Sequence, residues 1–443
     1  MSDYIKRTME KTIEKMKDTF PVIMITGPRQ VGKTTLLNIM ADNNKSEKIN
    51  FVSLDDLNVR ALAIEDPELF LRTYEMPLVI DEFQYAPNLL SYIKIIVDNK
   101  RLENLKDDKL KCNGLFYLTG SQAFETMENV TESLAGRIAV LDLNGLTNRE
   151  IENMENEVFI PDIEILKNKK KTKTKSTIEV FEKILKGSYP ELYKNKDIDR
   201  NQYFETYIRT YIERDIRQLI NIQDEIKFLK FISNVAVRTG QELNISDICN
   251  GIGITNSTAE KWLSILTNTG IVYLLQPYSN NNVARIVKKP KIYFMDTGVA
   301  CYLAGYMDAI TLEKSAYNGA IFETYIVSEI IKSFINNGLD ARKYLYYYRD
   351  NNGKEIDLLI IKNNVVYPIE IKKSANPGKE AIKNFNVIEK FGLDIGNGGV
   401  ICMKNELFPI DKNNNYISFD EDEKIIHYFG IKDVNTIYLI NLE

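Results

Sequence analysis

A glycine-rich segment near the amino terminus, GPRQVGKTT at positions 27–35, constrains the fold more than any other part of the sequence. It contains the pattern G-x-x-x-x-G-K-[ST] without a mismatch and directly follows the apolar run VIMIT. Such a turn between a buried strand and a helix points backbone N–H groups and the positive helix end at one anion. The sequence therefore predicts a phosphate-binding loop, in which Lys33 contacts the phosphates of ATP and Thr34 binds Mg²⁺. The predicted nucleotide-binding residues are Gly27, Pro28, Arg29, Gln30, Val31, Gly32, Lys33, Thr34 and Thr35.

A second apolar run, residues 78–80, ends in two carboxylates, Asp81 and Glu82. In open α/β sheets, ligands bind at the carboxyl ends of the parallel strands, so these side chains are expected at the edge that carries the phosphate loop. We expect Asp81 to hold Mg²⁺ and Glu82 to polarise the attacking water. Together with the loop, this pair predicts ATP binding and hydrolysis.

Two polar residues further along the chain are candidate catalytic groups. Ser121 comes after the strand-like run at 115–119, from which a polar side chain can contact the γ-phosphate. Arg137 is a candidate charge stabiliser, acting within its own chain or on a neighbouring subunit. The alternative for Arg137 is an ordinary surface arginine.

Length and composition limit the other possibilities. The chain has 443 residues, and since single cores rarely grow beyond about 250–300 residues, we expect two or three domains. The net charge of −5 excludes a protein that is basic overall, so any contact with nucleic acid is expected to be local. A single histidine (His427), dispersed cysteines and the lack of an apolar run of about 18 residues favour a cytoplasmic protein with no zinc site, disulfide framework or membrane span.

The order of the predicted elements indicates an α/β fold class with four regions. Residues 1–145 alternate strand-like and helical segments, which predicts a P-loop ATPase domain with a parallel sheet. Residues 146–222 are predicted to form a helical lid with a lysine-rich loop at 167–175, which is either a solvated loop or a nucleic-acid contact. Residues 223–295 predict a winged-helix-like domain, and residues 296–443 predict a C-terminal α/β domain.

The winged-helix-like region leaves two roles open. Its helix at 255–267, for which Ser257 and Glu260 have capping-box spacing, carries Lys261 as its only cation. A helix that reads DNA bases is expected to present several basic or amide side chains. The predicted wing has more cations, which are Arg285, Lys288, Lys289 and Lys291. DNA binding and protein contact are therefore both retained as roles for this region.

Residues 355–372 predict a β-hairpin around a two-residue turn at 363–364, because Asn tolerates the positive φ angles of a type I′ turn. Counting back from that turn places Asp357 opposite Glu370. Opposed Cα atoms lie about 4.5–5.5 Å apart, and two carboxylates that close repel each other unless a cation or a proton lies between them. Pro368, within the second strand, predicts an edge position in the sheet.

The hairpin carries candidate catalytic and metal-binding residues. Asp357 and Glu370 are candidate ligands of a hard divalent ion such as Mg²⁺, and Lys372 is a candidate for orienting water or stabilising charge on a phosphodiester. Glu323 lies on the apolar stripe of a predicted helix, where a carboxylate is costly unless it is paired or binds a metal. The simpler alternative for the hairpin is a cross-strand ion pair between Glu355 and Lys372.

These motifs together resemble those of prokaryotic AAA-type P-loop ATPases whose C-terminal half is a domain of unknown function with a PD-(D/E)XK nuclease-like fold. The likeness covers nearly the whole chain, and its carriers are residues 27–35, 81–84, 118–121, 136–137, 187–191, 213–215, 294–298, 322–323, 348–349, 355–357 and 370–372. Ser188 stands where the family usually has a second glycine. The resemblance implies ATP binding, a winged helix in the middle of the chain and a nuclease-like C-terminal domain whose active residues are present.

Two functional hypotheses follow from the sequence. The first is a cytoplasmic, Mg²⁺-dependent ATPase whose nucleotide state controls a C-terminal nuclease-like module that acts on DNA. The second is an ATP-driven molecular switch with a non-catalytic C-terminal module that binds a protein or DNA. The acidic net charge and the weakly basic helix at 255–267 support the second hypothesis. The sequence does not determine the oligomeric state, and an oligomer is compatible with it.

Overall fold

The structure, a computed structural model, describes residues 4–44, 48–120, 133–167, 176–211, 225–280, 289–404 and 407–418. The predictions for Ser121, the lysines at 168–175, Arg285, Lys288 and His427 lie outside these residues. None of the helices in the described part of the chain combines the length and the apolar character that crossing a membrane requires.

Helices and strands alternate in the first third of the described chain, and strands predominate near its end. The strands are β1 Val22–Thr26, β2 Asn50–Ser53, β3 Leu78–Asp81, β4 Phe116–Thr119, β5 Ile138–Asp142, β6 Val272–Leu275, β7 Lys291–Phe294, β8 Leu345–Arg349, β9 Glu355–Lys362, β10 Val365–Lys372, β11 Asp394–Ile395, β12 Gly398–Cys402, β13 Phe408–Pro409 and β14 Asn414–Ser418. The α-helices are α1 Met9–Met16, α2 Lys33–Asn43, α3 Leu57–Glu65, α4 Pro67–Thr73, α5 Leu89–Asn104, α6 Asn148–Ile151, α7 Ile163–Lys167, α8 Thr177–Lys186, α9 Pro190–Lys194, α10 Arg200–Tyr211, α11 Glu225–Ala236, α12 Ile245–Asn250, α13 Asn256–Asn268, α14 Thr297–Leu303, α15 Ala309–Lys314 and α16 Asn318–Asn336.

The sheet that carries the phosphate loop is parallel throughout. Its strands lie side by side in the order β2, β3, β4, β1, β5. Within β1, Ile23 and Ile25 face one apolar core, while Val22 and Met24 pack on the opposite face. The sheet is therefore covered on both faces, as a strand without polar alternation requires. The predicted parallel α/β sheet is confirmed, and β4 separates the strand before the phosphate loop from the strand that ends in Asp81.

The helical region begins with a well-capped helix. Ser176 Oγ accepts a hydrogen bond from the Glu179 N–H at 3.3 Å, and the Glu179 carboxylate accepts one from the Ser176 N–H at 2.6 Å. This capping box starts α8, whose buried face packs against α14 and α15. The helix expected near 203–222 begins at Arg200 and is described as far as Tyr211.

The middle region contains α11, α12, α13 and the antiparallel pair β6–β7. The capping box predicted at Ser257 is wrong, because α13 begins at Asn256 and its N-cap is Thr255. Thr255 Oγ1 accepts a hydrogen bond from the Thr258 N–H at 3.2 Å. Helices and strands lie near the expected positions, and the winged-helix interpretation stays a prediction.

The C-terminal sheet runs in the order β13, β14, β12, β10, β9, β8, with β11 beside β10. The turn between β9 and β10 has φ angles of 52° at Asn363 and 65° at Asn364, as expected for a type I′ turn. Ile369 lies opposite Leu358, which is the register that the turn predicts. The hairpin and its register are therefore as expected from the sequence.

Pro368 does not lie in an edge strand, because β10 runs between β9 and β12. On its parallel side, β10 pairs with β11 at Val365 and Val366, and with β12 only from Ile369 onwards. Pro368 falls between these two ladders, where its missing N–H costs no hydrogen bond of the parallel side. The edge prediction was wrong because the sequence did not show this break.

One apolar core connects the regions. It includes Ile25 of the phosphate-loop sheet, Phe204 of α10, Trp262 of α13, Phe334 of α16 and Ile360 of β9. A second apolar core lies between the other face of the phosphate-loop sheet and helices α3 to α5. Because the first core is shared, side chains from the middle and C-terminal regions pack directly against the domain that carries the phosphate loop.

Candidate nucleotide site and C-terminal carboxylate cluster

The phosphate loop, residues 27–35, has a backbone that requires glycine at its start. Gly27 has a φ of 130°, and a Cβ atom there would lie 2.0 Å from the carbonyl oxygen of Leu143. Gly32, at φ 93°, leads directly into α2, which begins at Lys33. The N–H groups in the first turn of α2 are therefore available to an anion held in the loop.

Three side chains meet at the edge of the sheet beside this loop. Lys33 Nζ donates hydrogen bonds to the carbonyl oxygens of Gly27, at 2.9 Å, and Pro28, at 2.8 Å. Thr34 Oγ1 donates to Asp81 Oδ1 at 2.8 Å. The lysine, the hydroxyl and the carboxylate that the sequence assigned to ATP and Mg²⁺ are thus brought together by the fold.

Hydroxyl groups from the two strands beside β3 also contact Asp81, and the sequence did not predict these contacts. Ser53 Oγ lies 3.3 Å from Asp81 Oδ2, and Thr119 Oγ1 donates to Asp81 Oδ1. Both residues end their strands, as Asp81 does, so the parallel register places all three at one edge. The sequence showed that both residues come at the end of a predicted strand. Only the order of the strands in the sheet showed that these ends lie beside Asp81.

Glu82 follows Asp81 in an unusual backbone conformation. Its φ of 53° places it in the left-handed region, which non-glycine residues adopt at a cost of about 1–3 kcal/mol. The Glu82 N–H donates to Thr119 Oγ1 at 3.2 Å, and Gln84 Nε2 donates to the Glu82 carboxylate. These contacts hold the carboxylate immediately after the strand that ends in Asp81.

Arg137 lies at the amino ends of the parallel strands, whereas the phosphate loop lies at their carboxyl ends. It directly precedes β5, and its carbonyl accepts a hydrogen bond from the N–H of Val22, the first residue of β1. The length of β1 therefore separates it from the loop by about 15 Å. Its guanidinium binds Asp98 at 2.6 and 3.0 Å, and these hydrogen bonds lower the pKa of the Asp98 carboxyl. The expected role within its own chain is thus wrong, because the arginine precedes its strand, and only a role on a neighbouring subunit stays a prediction.

The phosphate loop touches two other regions of the chain. Tyr203 of α10 donates a hydrogen bond from its hydroxyl to Gln30 Oε1 at 2.7 Å. Gly270, with a φ of 71°, follows α13 closely, and a Cβ atom there would lie 3.1 Å from Cδ of Pro28. The conformation of the loop is therefore coupled by contact to the helical and middle regions.

A buried arginine before α1 holds the phosphate loop through hydrogen bonds to backbone carbonyl groups. Arg7 donates hydrogen bonds to the carbonyl oxygens of Val31, at 2.9 Å, and Asn144, at 2.6 Å. Its Nε lies 3.3 Å from the Glu150 carboxylate, and both side chains are almost fully buried. The sequence did not identify Arg7, because its acceptors are backbone carbonyls that carry no residue-specific pattern.

The C-terminal carboxylate cluster consists of Glu323 on α16, Glu355 and Asp357 on β9, and Glu370 on β10. Lys372 Nζ lies 2.6 Å from Glu370 Oε1 and 3.8 Å from Asp357 Oδ2. Asp357 Oδ2 also accepts a hydrogen bond from the Ile371 N–H at 2.9 Å. The structure therefore brings the four predicted site residues together, which are Glu323, Asp357, Glu370 and Lys372. The ion pair expected between Glu355 and Lys372 is wrong, because Lys372 turns to the other carboxylates.

Lys291 is the principal group at this cluster that the sequence placed elsewhere. Its Nζ lies 3.1 Å from Glu323 Oε1, 2.7 Å from Glu355 Oε1 and 3.8 Å from Asp357 Oδ1. Only 3% of its side chain is exposed. The expectation that Lys291 supplies charge to a DNA-binding wing is therefore wrong. The residue looked like a wing cation because the sequence did not show that both faces of β7 are buried.

The cluster shifts the protonation of its members. Burial raises the pKa of Glu323 to about 7, and the neighbouring Asp357 carboxylate adds to the shift. Burial and Asp357 also raise the pKa of Glu370 to about 7. Burial alone would lower the pKa of Lys291, but its contacts with Tyr293 and the carboxylates outweigh burial and raise that pKa. Tyr293 also donates a hydrogen bond to Glu323 Oε1 at 2.6 Å.

The arrangement of the cluster does not fit a divalent metal ion. Within the described ranges, no group of three or more His, Cys, Asp or Glu side chains is placed to hold one. The predicted ligands Asp357 and Glu370 each have a lysine ammonium close to an oxygen that a metal would use. Thr34 and Asp81, in contrast, offer oxygen ligands with no ammonium between them and fit Mg²⁺ bound together with a nucleotide.

A parallel sheet with a phosphate loop after one strand and a carboxylate after the strand two positions away defines a P-loop domain. Comparison with known families agrees: residues 19–152 match the family described as "AAA domain". Residues 178–309 match "Domain of unknown function (DUF8612)", and residues 318–421 match "Domain of unknown function (DUF4143)". The chain is thus similar to an AAA domain over residues 19–152 and, further along, to two families of unknown function.

Curated relatives span most of the chain. The uncharacterized protein Rv2008c of Mycobacterium tuberculosis is 26% identical over 358 residues, which cover 81% of this chain and 71% of that protein. The uncharacterized protein Mb2031c of Mycobacterium bovis matches with the same identity and coverage. The aligned part is longer than the segment that matches the AAA domain.

Solved structures match more loosely. The Walker-type ATPase PABY2304 of Pyrococcus abyssi has a TM-score of 0.39 and 14% identity, covering 68% of this chain and 96% of that one. The ORC2 protein of Aeropyrum pernix has a TM-score of 0.31 and 14% identity, covering 71% and 92%. TM-scores below 0.5 do not establish a common fold.

Proposed function

We propose that this chain binds and hydrolyses Mg·ATP in its phosphate loop and uses the nucleotide state as a molecular switch for its middle and C-terminal regions. The observation that carries the proposal is the 2.8 Å hydrogen bond between Thr34 Oγ1 and Asp81 Oδ1 at the edge of the sheet. In P-loop enzymes, a loop hydroxyl and a strand-end aspartate are the two protein groups that hold Mg²⁺. Both lie beside the lysine that contacts the phosphates.

The binding roles follow from the partners of each group. Lys33 donates to two neutral carbonyls of its own loop, and phosphate oxygens would offer stronger, charge-assisted acceptors. Thr34 and Asp81 would hold the Mg²⁺, which neutralises charge on the phosphates when it is bound. The remaining loop residues bind through backbone N–H groups, since the first turn of α2 points its donors at the loop.

Hydrolysis is assigned to Glu82. Its carboxylate lies one residue after Asp81, on the edge of the sheet that carries the loop, and it can accept a proton from an attacking water. Gln84 and Thr119 position it through the hydrogen bonds described above. The strained backbone at Glu82 supports a functional role, because such strain persists where the surrounding structure enforces it.

The switch role rests on the contacts that leave the loop. Pro28 packs against Gly270, which lies two residues before β6, and Gln30 accepts the hydroxyl of Tyr203. A loop that changes shape when phosphate binds would displace both contacts, since packed interfaces adopt discrete arrangements. Nucleotide binding and the arrangement of the middle region would then influence each other reciprocally.

The experiment separates binding from hydrolysis. Lys33→Ala should weaken ATP binding at least about 100-fold, because two charge-assisted hydrogen bonds are lost. Glu82→Gln should keep ATP affinity within about 3-fold but slow hydrolysis about 100-fold or more. Lys94→Ala, at an exposed lysine of α5, is the matched control and should change neither. Calorimetry and phosphate release measure the two quantities, and ATP bound by Lys33→Ala with wild-type affinity would refute the proposal.

For the C-terminal region, the better-supported function is a non-catalytic module that binds a protein or DNA, because Lys291 occupies its carboxylate cluster. The close approach of Lys372 to Glu370 and Asp357 favours nuclease activity as the second candidate. That candidate predicts DNA cutting in Mg²⁺ or Mn²⁺ that is lost in Asp357→Ala. The non-catalytic module predicts no cutting above the level of that variant.

A further inference from the structure

Lys291 reaches the C-terminal carboxylate cluster from a strand of the middle region. Its ammonium group lies between Glu323 and Glu355, at 3.1 and 2.7 Å, and within 3.8 Å of Asp357. These three carboxylates come from two elements of the C-terminal region, α16 and β9. We propose that the Lys291 ammonium occupies the cation position of this cluster and closes it to divalent metal ions.

Charge explains why one cation excludes the other. Buried carboxylates this close repel one another unless a cation lies among them, and the lysine supplies that cation. A divalent ion bound to the same oxygens would lie about 2–2.6 Å from them, and therefore only a few ångströms from the ammonium nitrogen. Lys372 neutralises the other side of Asp357, where its Nζ lies 3.8 Å from Oδ2. Both flanks of the central aspartate are thus occupied by covalently attached cations.

The structure also holds Lys291 in place. In the β6–β7 pair, Lys291 lies opposite Leu275 in the antiparallel ladder, so its backbone position is defined. Tyr293, two residues later on the same face of β7, donates its hydroxyl to Glu323. The ring centroid of Tyr347 lies 5.6 Å from the ammonium nitrogen. These contacts favour a lysine side chain that stays within the cluster.

The cluster therefore ties the middle region to the C-terminal region through charge. Arg349 NH1 adds a further contact, 3.5 Å from Glu355 Oε2 and 3.4 Å from Glu242 Oε2 of the middle region. Removing the ammonium would leave the three carboxylates without a cation among them, and their side chains would then have to move closer together to hold a divalent ion. The inference is independent of nucleotide binding, since no residue of the phosphate loop takes part.

Mn²⁺ binding to the full chain without nucleotide tests the inference. Free Mn²⁺ is measured by electron paramagnetic resonance in a titration of the wild type, Lys291→Met, Lys289→Met, Asp357→Asn and the double variant Lys291→Met/Asp357→Asn. We expect Lys291→Met to bind one Mn²⁺ per chain more than the wild type and the double variant to lose it. Lys289→Met removes an exposed lysine two residues away and should behave as the wild type does.

Two results would overturn the inference. One is a folded Lys291→Met, checked by circular dichroism, that binds no more Mn²⁺ than the wild type. The other is a wild type that binds more Mn²⁺ than Asp357→Asn, because the closed cluster predicts equal binding by these two proteins. This second comparison decides the question even if Lys291→Met does not fold. Neither result bears on ATP binding, which the Lys33→Ala variant tests separately.

Discussion

Two aspartates, Asp81 and Asp357, lie on strands of two different sheets and are buried to a similar degree, with 3% and 7% of their surface exposed. Around Asp81, the fold assembles hydroxyl groups from Thr34, at 2.8 Å, Ser53, at 3.3 Å, and Thr119. Around Asp357, it assembles ammonium groups, with one nitrogen at 3.8 Å from each carboxylate oxygen. The same residue type has therefore received neutral partners in one sheet and charged partners in the other.

The difference teaches what each site can accept. Hydroxyl groups satisfy hydrogen bonds without cancelling the negative charge, and they can rearrange to bind an incoming cation as ligands. Lysine ammonium groups cancel the charge and cannot act as ligands while they are protonated. The phosphate-loop site is therefore prepared for Mg·ATP, whereas the C-terminal cluster holds its cations already.

The largest expected effect comes from removing the Lys291 ammonium, which makes the surroundings of Asp357 more like those of Asp81. Lys291→Met should lower the free energy of unfolding by about 3–5 kcal/mol, because the carboxylates stay buried without their cation. Urea denaturation measures this loss, and Lys289→Met should change stability by less than about 0.5 kcal/mol. Adding Glu323→Gln to Lys291→Met should recover part of the loss. Equal stability of Lys291→Met and the wild type would contradict a neutralising role.

A smaller effect concerns pH. The pKa of Glu323 rises from 4.5 to about 7 in the folded protein, so between these values the folded state binds more protons than the unfolded state. Stability therefore falls as pH rises through this range. Relative to Glu323→Gln, the wild type should lose on the order of 1–2 kcal/mol between pH 5 and 7. Denaturation of both proteins at several pH values measures the difference, and parallel curves would show that burial does not shift this carboxyl.

The smallest expected effect concerns the contact between the phosphate loop and the middle region. Gly270→Ala places a methyl group 3.1 Å from Pro28 and adopts an unfavourable φ of 71°. Gly253→Ala is the matched control, since its φ is 73° and, among the described residues, no atom lies within 4 Å of the new methyl group. Both should lose about 1 kcal/mol of stability from the backbone, and Gly270→Ala alone should weaken ATP binding a few-fold. Identical ATP affinities would separate the loop from the middle region.

Local sequence was sufficient for much of the fold. The phosphate loop is flanked by the expected strand and helix, because glycine conformation and strand hydrophobicity are properties of a few adjacent residues. The turn at Asn363 and Asn364 set the register that brings Asp357 near Glu370, since two residues with positive φ define the pairing of their strands.

Partners from distant segments were not predictable in the same way. Ser53 and Thr119 contact Asp81 because β2 and β4 flank β3, which no local pattern specifies. Arg137 precedes its strand, whereas Asp81 is the last residue of its own strand. The two side chains therefore lie at opposite ends of the parallel strands, and Arg137 is too far from the phosphate loop of its own chain. Lys291 had the appearance of an exposed wing cation and proved to be buried among three carboxylates.

The sequence by itself determined that this chain has a phosphate loop, a strand-end carboxylate pair and a hairpin that groups acidic residues. These features follow from backbone propensity, hydrophobic pattern and turn geometry, all of which act over a few residues. Only the tertiary structure decided which charges meet, because electrostatic partners depend on distances between segments far apart in the chain. The tertiary structure places hydroxyl groups around Asp81 and lysine side chains around Asp357. The first site can therefore bind a cation, whereas the second already contains the ammonium groups of its own lysines.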